Sequence, residues 1–285
     1  MKRISTIVCA LFFGCSLFFG CDKIEGPYYE VLNDEEVTVD FPDIDPSTVY
    51  RKMLIEEFTG HRCTTCPAGH QILDNLHQQY GDTLVAVGIH FGTLAKPVGS
   101  TFSYDFRTDA GTEIGNYYNI DAIPAAIVNR NDKTGGWPRE QWGSVLRDVD
   151  RSKVMAALQI INEVDENMTL KANVKVTMLE NYENPLRIVI FVLEDGIVKP
   201  QKDGSEDVLE YTHNHVLRAA LTAPFGDPLY NSLGNWSAGD TETYAASITM
   251  GETDWIPENC YVVAFLYDDI NQDVIQVETA KVVGE

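Results

Sequence analysis

Residues 56–70 read EEFTGHRCTTCPAGH, and the fold turns on how this stretch is placed. Just upstream, Met53, Leu54 and Ile55, with Phe58 beyond, form an apolar run suited to a strand buried on both faces. Downstream, Pro67 suits the first turn of a helix, where its missing N–H is not needed. Ile72, Leu73, Leu76 and Tyr80 then recur at helical spacing, and Gly81 closes the segment. The run TLVAVGIHF at 83–91 predicts a second buried strand. Strand, helix and strand in this short span make a βαβ unit, which closes right-handed. Cys63 and Cys66 stand at its strand-to-helix junction.

Beyond this unit a stretch bearing Gly, Ser and Pro, 92–106, leads to a helix over 109–118. The segment IDAIPAAIVNR at 120–130 predicts a third strand with Pro124 at its start. A helix over 138–150 sets Trp142, Val145, Leu146 and Val149 on one side. Near Ser152 the texture changes. The segments 157–164, 168–179, 186–195, 243–250, 260–269 and 274–283 are short strands, several alternating, separated by Asn, Gly, Asp and Pro clusters. That pattern predicts an antiparallel sandwich of Ig-like type. The expected organisation is an α/β domain over 48–152 followed by an all-β sandwich domain over 153–285.

The N-terminus places the protein outside the cytoplasm. Lys2 and Arg3 precede an apolar run that ends in Leu17-Phe18-Phe19-Gly20-Cys21, so residues 1–20 read as a signal peptide. The last residues resemble a bacterial lipobox, which implies lipid attachment at Cys21. Residues 21–47 are rich in Asp and Glu and read as an acidic tether between membrane and body. Across the chain the formal charge is −22, which argues against nucleic acid and against electrostatic docking on anionic lipid. With Cys9 and Cys15 removed and Cys21 acylated, the remaining thiols are Cys63, Cys66 and Cys260. An oxidising compartment favours disulfides, and the close pair is Cys63 and Cys66.

Exchange chemistry needs a thiolate at the first cysteine, and a helix N-terminus lowers that thiol's pKa. It also needs a second thiol to resolve the mixed disulfide, a buried proton acceptor, and backbone against which a substrate chain can lie. Cys63 and Cys66 occupy the first two places. Glu57, six residues before Cys63, stands on the strand feeding the site, and Pro124 opens a later strand where a cis-proline could hold substrate backbone. Arg62 adds positive charge beside Cys63.

Residues 48–150 resemble the thioredoxin fold. The motif EEFTGHRCTTCP matches that family's strand, acidic residue, CxxC and helix, and YNIDAIPAAIVN resembles its segment before the cis-proline strand. The resemblance implies Cys63 as attacking thiol, Cys66 as resolving thiol, Glu57 as buried acid and Pro124 as cis-proline. Glu56 is the rival for the acid role, since alternation turns one of the two inward. Arg62 replaces the usual Trp, and Thr64-Thr65 replace Gly-Pro, so the redox potential stays open. The whole layout, including YTHNHVLRAAL at 211–221, resembles a family of outer-membrane lipoproteins of Bacteroides-like bacteria.

The expectation is thiol–disulfide exchange with extracytoplasmic proteins or peptides, which needs no cofactor. Two other readings use the same residues. One is a surface-binding or adhesion lipoprotein in which the sandwich binds a partner and the disulfide is structural. The other is zinc held by His61, Cys63, Cys66 and His70, disfavoured because Pro67 and the helix spread these ligands apart. His213 and His215 would share a face if their segment is a strand, and Cys260 reads as a buried apolar side chain.

Overall fold

Every residue of β1 (Met53–Thr59) is buried, because this strand is flanked by strands on both sides and covered on both faces. It pairs in parallel with β2 (Leu84–His90) through α1 (Cys66–Tyr80), as the βαβ pattern predicts. Around this unit stand α2 (Asp109–Tyr117), β3 (Ala125–Val128), β4 (Trp137–Pro138) and α3 (Trp142–Asp148), with β3 antiparallel to β1 and to β4. The computed structural model describes residues 39–130, 134–229 and 235–284. The signal segment 1–20, Cys21 and the tether up to residue 38 lie outside the described residues.

The second half contributes β5 (Ala156–Val164), β6 (Thr169–Met178), β7 (Leu186–Glu194), β8 (Ile197–Asp203), β9 (Glu206–His213), β10 (Val216–Ala220), β11 (Asp227–Pro228), β12 (Thr241–Thr249), β13 (Cys260–Asp268) and β14 (Val274–Lys281). These strands do not keep to themselves. One mixed sheet runs β14-β13-β7-β10-β2-β1-β3-β4, with β11 beside β7, so strands from both sides of residue 152 share it. The seam is narrow: β10 meets β2 in parallel at Val216 and Gly88, and the Gly88 N–H donates to the His215 carbonyl at 2.6 Å. A β-carbon on Gly88 would sit 3.2 Å from that carbonyl oxygen, so the bare backbone is what lets the strands approach.

Alternation along the strands divides the core. On one face Met53, Ile55, Leu84 and Ala86 pack against Leu73 and Leu76 of α1 and Trp142 and Leu146 of α3. Farther along that face, Ile188, Ile190, Val262 and Ala264 pack on a second sheet, β12-β6-β5, through Leu170, Val174 and Ile248. The opposite face is one continuous cluster, running from Leu54, Phe58 and Val87 to Phe191 and Phe265, with Ile114 and Tyr118 over it. The third sheet is the hairpin β8–β9.

Within that continuous cluster lies an ion pair. Arg130 donates from Nε and Nη2 to the two carboxylate oxygens of Glu56 at 3.0 and 2.8 Å, and both side chains are fully buried. Its guanidinium carbon lies 4.7 Å from the ring centre of Phe265, 5.2 Å from Phe225 and 5.7 Å from both Phe191 and Tyr267. A bidentate fork and aromatic faces are the surroundings a buried guanidinium needs. Arg130→Met leaves the Glu56 carboxylate buried without its partner, at a cost of about 3–5 kcal/mol. The double variant Glu56→Leu/Arg130→Met should recover most of that loss, and urea unfolding of the two variants measures the difference.

Candidate functional site

Leaving β1 at Thr59, the chain loops through residues 60–65 and enters α1 at Cys66, with Pro67 inside the first turn. The loop is pinned early: the Cys63 N–H donates to the Gly60 carbonyl at 2.9 Å, and the Arg62 N–H to that of Leu94 at 3.0 Å. Cys63 and Cys66 are joined in a disulfide at the helix N-terminus, 2% and 0% exposed. The Cys63 Sγ lies 3.7 Å from the Ile123 carbonyl oxygen, and the Ile123–Pro124 peptide is cis. Arg139 closes the other side, donating to the Thr65 carbonyl at 2.8 Å. Arg62 turns away, its guanidinium bonded to the carbonyls of Thr93 and Lys96.

Adjacent strand residues face opposite ways. With Glu56 held by Arg130, Glu57 points to the α1 face. There its Oε1 lies against Gly69, one turn beyond Cys66: a β-carbon on Gly69 would come within 3.1 Å of that oxygen and of Pro124 Cβ. Glu57 is buried, and its Oε1 accepts no hydrogen bond among the described residues; His70 Nε2 is 3.6 Å away. Burial, helped by the charge of Asp74, holds the Glu57 carboxyl well above the usual carboxylate range. Of the two glutamates, Glu57 is therefore the acid beside the cysteine helix.

Behind Glu57 the chain gathers all six of its histidines. His70, one turn into α1, contacts Thr59 Oγ1 at 2.9 Å through Nε2 and the Tyr211 hydroxyl at 2.6 Å through Nδ1. His61 stacks on Phe102, His90 stacks on Phe106, His213 packs on the same Phe106, and His77 stacks on His215. Glu57, His70, His90, Tyr211, His213 and His215 line a cavity of about 60 Å³. Burial lowers every one of these imidazoles: to about 4 at His61, His70 and His77, to about 3 at His213, and below their usual range at His90 and His215. They are neutral rings at pH 7.

The structure also separates residues that the sequence suggested together. β9 ends at His213, and a positive φ at His215 turns the chain, so the two side chains part. His213 packs on Phe106, while His215 Nδ1 meets the Tyr261 hydroxyl at 2.8 Å. The suggested zinc set does not converge either: His61 lies in an aromatic stack, His70 points to Tyr211, and the two sulfurs are bonded to each other. Cys260 is buried at the start of β13, its thiol pushed up to about 12 by burial. Sequence reasoning missed the histidine layer; its one signal was His70 and His77, two turns apart on one face of α1.

These shifts set a pH dependence. A histidine whose folded pKa is lowered contributes stability that is present above its unfolded value of about 6.5 and lost as pH falls toward 4. Stability should therefore fall between pH 6.5 and 4.5, and His90→Phe should flatten that slope by about 1.4 kcal/mol per pH unit. Glu57 runs the other way. Its contribution is present below an unfolded pKa of about 4.3 and is lost as pH rises. Glu57→Gln should thus be the more stable protein at pH 7.5 and match wild type at pH 4, by urea midpoints at each pH.

Comparison with known proteins adds the family. The family described as outer membrane protein Omp28 matches residues 112–285. No curated protein matches the chain. Among solved structures, HBP35 of Porphyromonas gingivalis shares the fold with a TM-score of 0.61 at 16% identity, covering 82% of this chain and 76% of its own. A domain of the outer membrane lipoprotein Omp28 from Porphyromonas gingivalis aligns at 21% identity and a TM-score of 0.32, over 47% of this chain and 93% of its own. The matched segment takes in Pro124, Arg130 and all of β5 to β14, and leaves Cys63 and Cys66 outside it. Because that segment makes up more than half of the chain, this protein belongs to the Omp28 family and is an outer-membrane protein.

Proposed function

We propose that the protein is a lipid-anchored thiol–disulfide exchange protein, held to the outer membrane through Cys21, whose working unit is the thioredoxin-like arrangement β1-α1-β2-β3-β4-α3. The observation that carries this reading is Glu57. A structural staple needs no proton acceptor, and a carboxyl buried against Gly69 with its Oε1 accepting no hydrogen bond costs stability. Its place is explained if it serves the second sulfur.

In this reading the Cys63 thiolate, favoured by the N-terminus of α1, attacks a partner's disulfide. One partner sulfur leaves as thiolate and the other stays bonded to Cys63. Cys66 then gives its proton to the Glu57 carboxylate and attacks Cys63 Sγ. The Cys63–partner bond breaks, the partner's second sulfur departs as thiolate, and the Cys63–Cys66 disulfide closes. Two electrons have passed from the pair to the partner; the reverse sequence oxidises a dithiol. The Ile123 carbonyl, beside Cys63 Sγ, is where an extended partner chain would lie.

A second reading has its own support. The sulfurs are almost without exposure, as suits a staple in a surface-binding lipoprotein whose stacked sheets engage the partner. One experiment separates the two. Cys66→Ser should accumulate partner proteins bonded to Cys63, visible on non-reducing gels after acid quenching and absent from Cys63→Ser/Cys66→Ser. A clean gel from cells exporting disulfide-bonded proteins would leave the staple reading standing.

A further inference from the structure

The loop that carries the sulfurs is held from the other half of the chain. Hairpin β8–β9 lies along residues 60–64. The Gln201 side-chain amide donates to the Cys63 carbonyl at 2.9 Å and to the Gly60 carbonyl at 3.3 Å. Backbone N–H groups of Lys202 and Gly204 donate to the carbonyls of His61 and Thr64, at 2.8 and 2.9 Å. On the return strand, Tyr211 meets His70, one turn beyond Cys66. Four carbonyls in and before the CxxC loop thus take their donors from one hairpin.

The choice of residue is informative. β8 and β9 are otherwise largely exposed, and at the buried middle of β8 stands Gln201, fully buried, where an apolar side chain would suit simple packing. A primary amide there reaches two of the loop's carbonyls, besides that of its neighbour Lys202 at 2.9 Å. We propose that the hairpin, through Gln201, is a positioning element of the Cys63–Cys66 site, holding the two sulfurs within bonding reach after the disulfide opens as well as before. This deepens the exchange reading and rests on the pair cycling between disulfide and dithiol.

The consequence is a bias toward the disulfide. When the bond opens, residues 63–66 would gain freedom; carbonyls held by the hairpin restrict it, so each thiol stays at high effective concentration beside the other. Glutathione reads this directly. One glutathione thiolate breaks the Cys63–Cys66 bond and forms a mixed disulfide, and a second displaces the protein sulfur to give oxidised glutathione. Two electrons enter the pair, and its two sulfurs take up the protons the glutathione thiols gave up.

The test is to equilibrate the purified full chain in glutathione buffers and trap the dithiol fraction. Gln201→Met, which keeps the volume and removes the donors, should shift the equilibrium about tenfold toward the dithiol, a potential about 30 mV higher. Lys202→Pro, compared with Lys202→Ala, removes the N–H to His61 and should shift it in the same direction. Loss of general stability alone would leave the constant unchanged, and an unchanged constant in both variants overturns the proposal. Should Gln201→Met fail to fold, the Lys202 pair decides. Partner trapping by Cys66→Ser with no shift sinks the positioning role alone; a shift with no trapped partner sinks exchange with partner proteins alone.

Discussion

The interaction on which the rest of the structure depends is the buried pair of Glu56 and Arg130. Bringing a carboxylate and a guanidinium out of water costs several kcal/mol per ion, repaid only when geometry is good and the remaining donors are satisfied. Here the pair is bidentate, a further Arg130 nitrogen donates to the Pro224 carbonyl, and four aromatic rings surround the guanidinium. The pair lies on the face of β1 that also carries Leu54 and Phe58. A slip of one residue would only exchange the two glutamates at Arg130; what it would disrupt is the apolar set, turning Met53 and Ile55 away from α1 and Leu54 and Phe58 away from the opposite cluster. Glu57 faces α1, on the side opposite its ion-paired neighbour.

Two adjacent glutamates therefore meet opposite environments. Glu56 meets a permanent cation; Glu57 meets Gly69, Pro124 and rings that carry no charge at neutral pH. The neutrality of the histidine layer matters to the site. A protonated imidazole within a few ångströms would pull the Glu57 pKa back down, and the carboxyl would lose its readiness to hold a proton. Burial of the rings by Phe102, Phe106 and the hairpin keeps that from happening. The aromatic packing is thus part of the site's electrostatics.

Much of this was legible in the sequence, and the parts that were not share a physical cause. β1, α1 and β2 carry strong periodicity, Pro124 sits at the edge of an apolar run, and six later strands alternate or run apolar. The choice between Glu56 and Glu57 was open because alternation gives relative facing and says nothing of which face is which. Hairpin β8–β9 escaped notice because KPQKDGSEDVLEY has no apolar face to read; its role comes from backbone donors and one amide. The seam between β10 and β2 rests on a glycine and a close backbone hydrogen bond, which no hydropathy pattern records. Texture changes at residue 152, yet the sheet, the core around Phe191 and the surroundings of Arg130 all cross it.

That continuity gives the family match a physical meaning. The segment held in common with the Omp28 family begins at residue 112, after both cysteines, but it supplies what surrounds them: Pro124 beside Glu57, Arg139 on the Thr65 carbonyl, Gln201 on the Cys63 carbonyl and Tyr211 on His70. A frame of buried donors aimed at carbonyls is specific to the loop it holds, because each donor left without its acceptor costs about 1–3 kcal/mol. The cysteine loop and the matched segment therefore constrain each other. Change in the loop's backbone path exposes Gln201 to that cost, and change at Gln201 frees the loop. The CxxC pair gains its definition from residues more than a hundred positions away, and the β-rich half of the chain is part of the site that it frames.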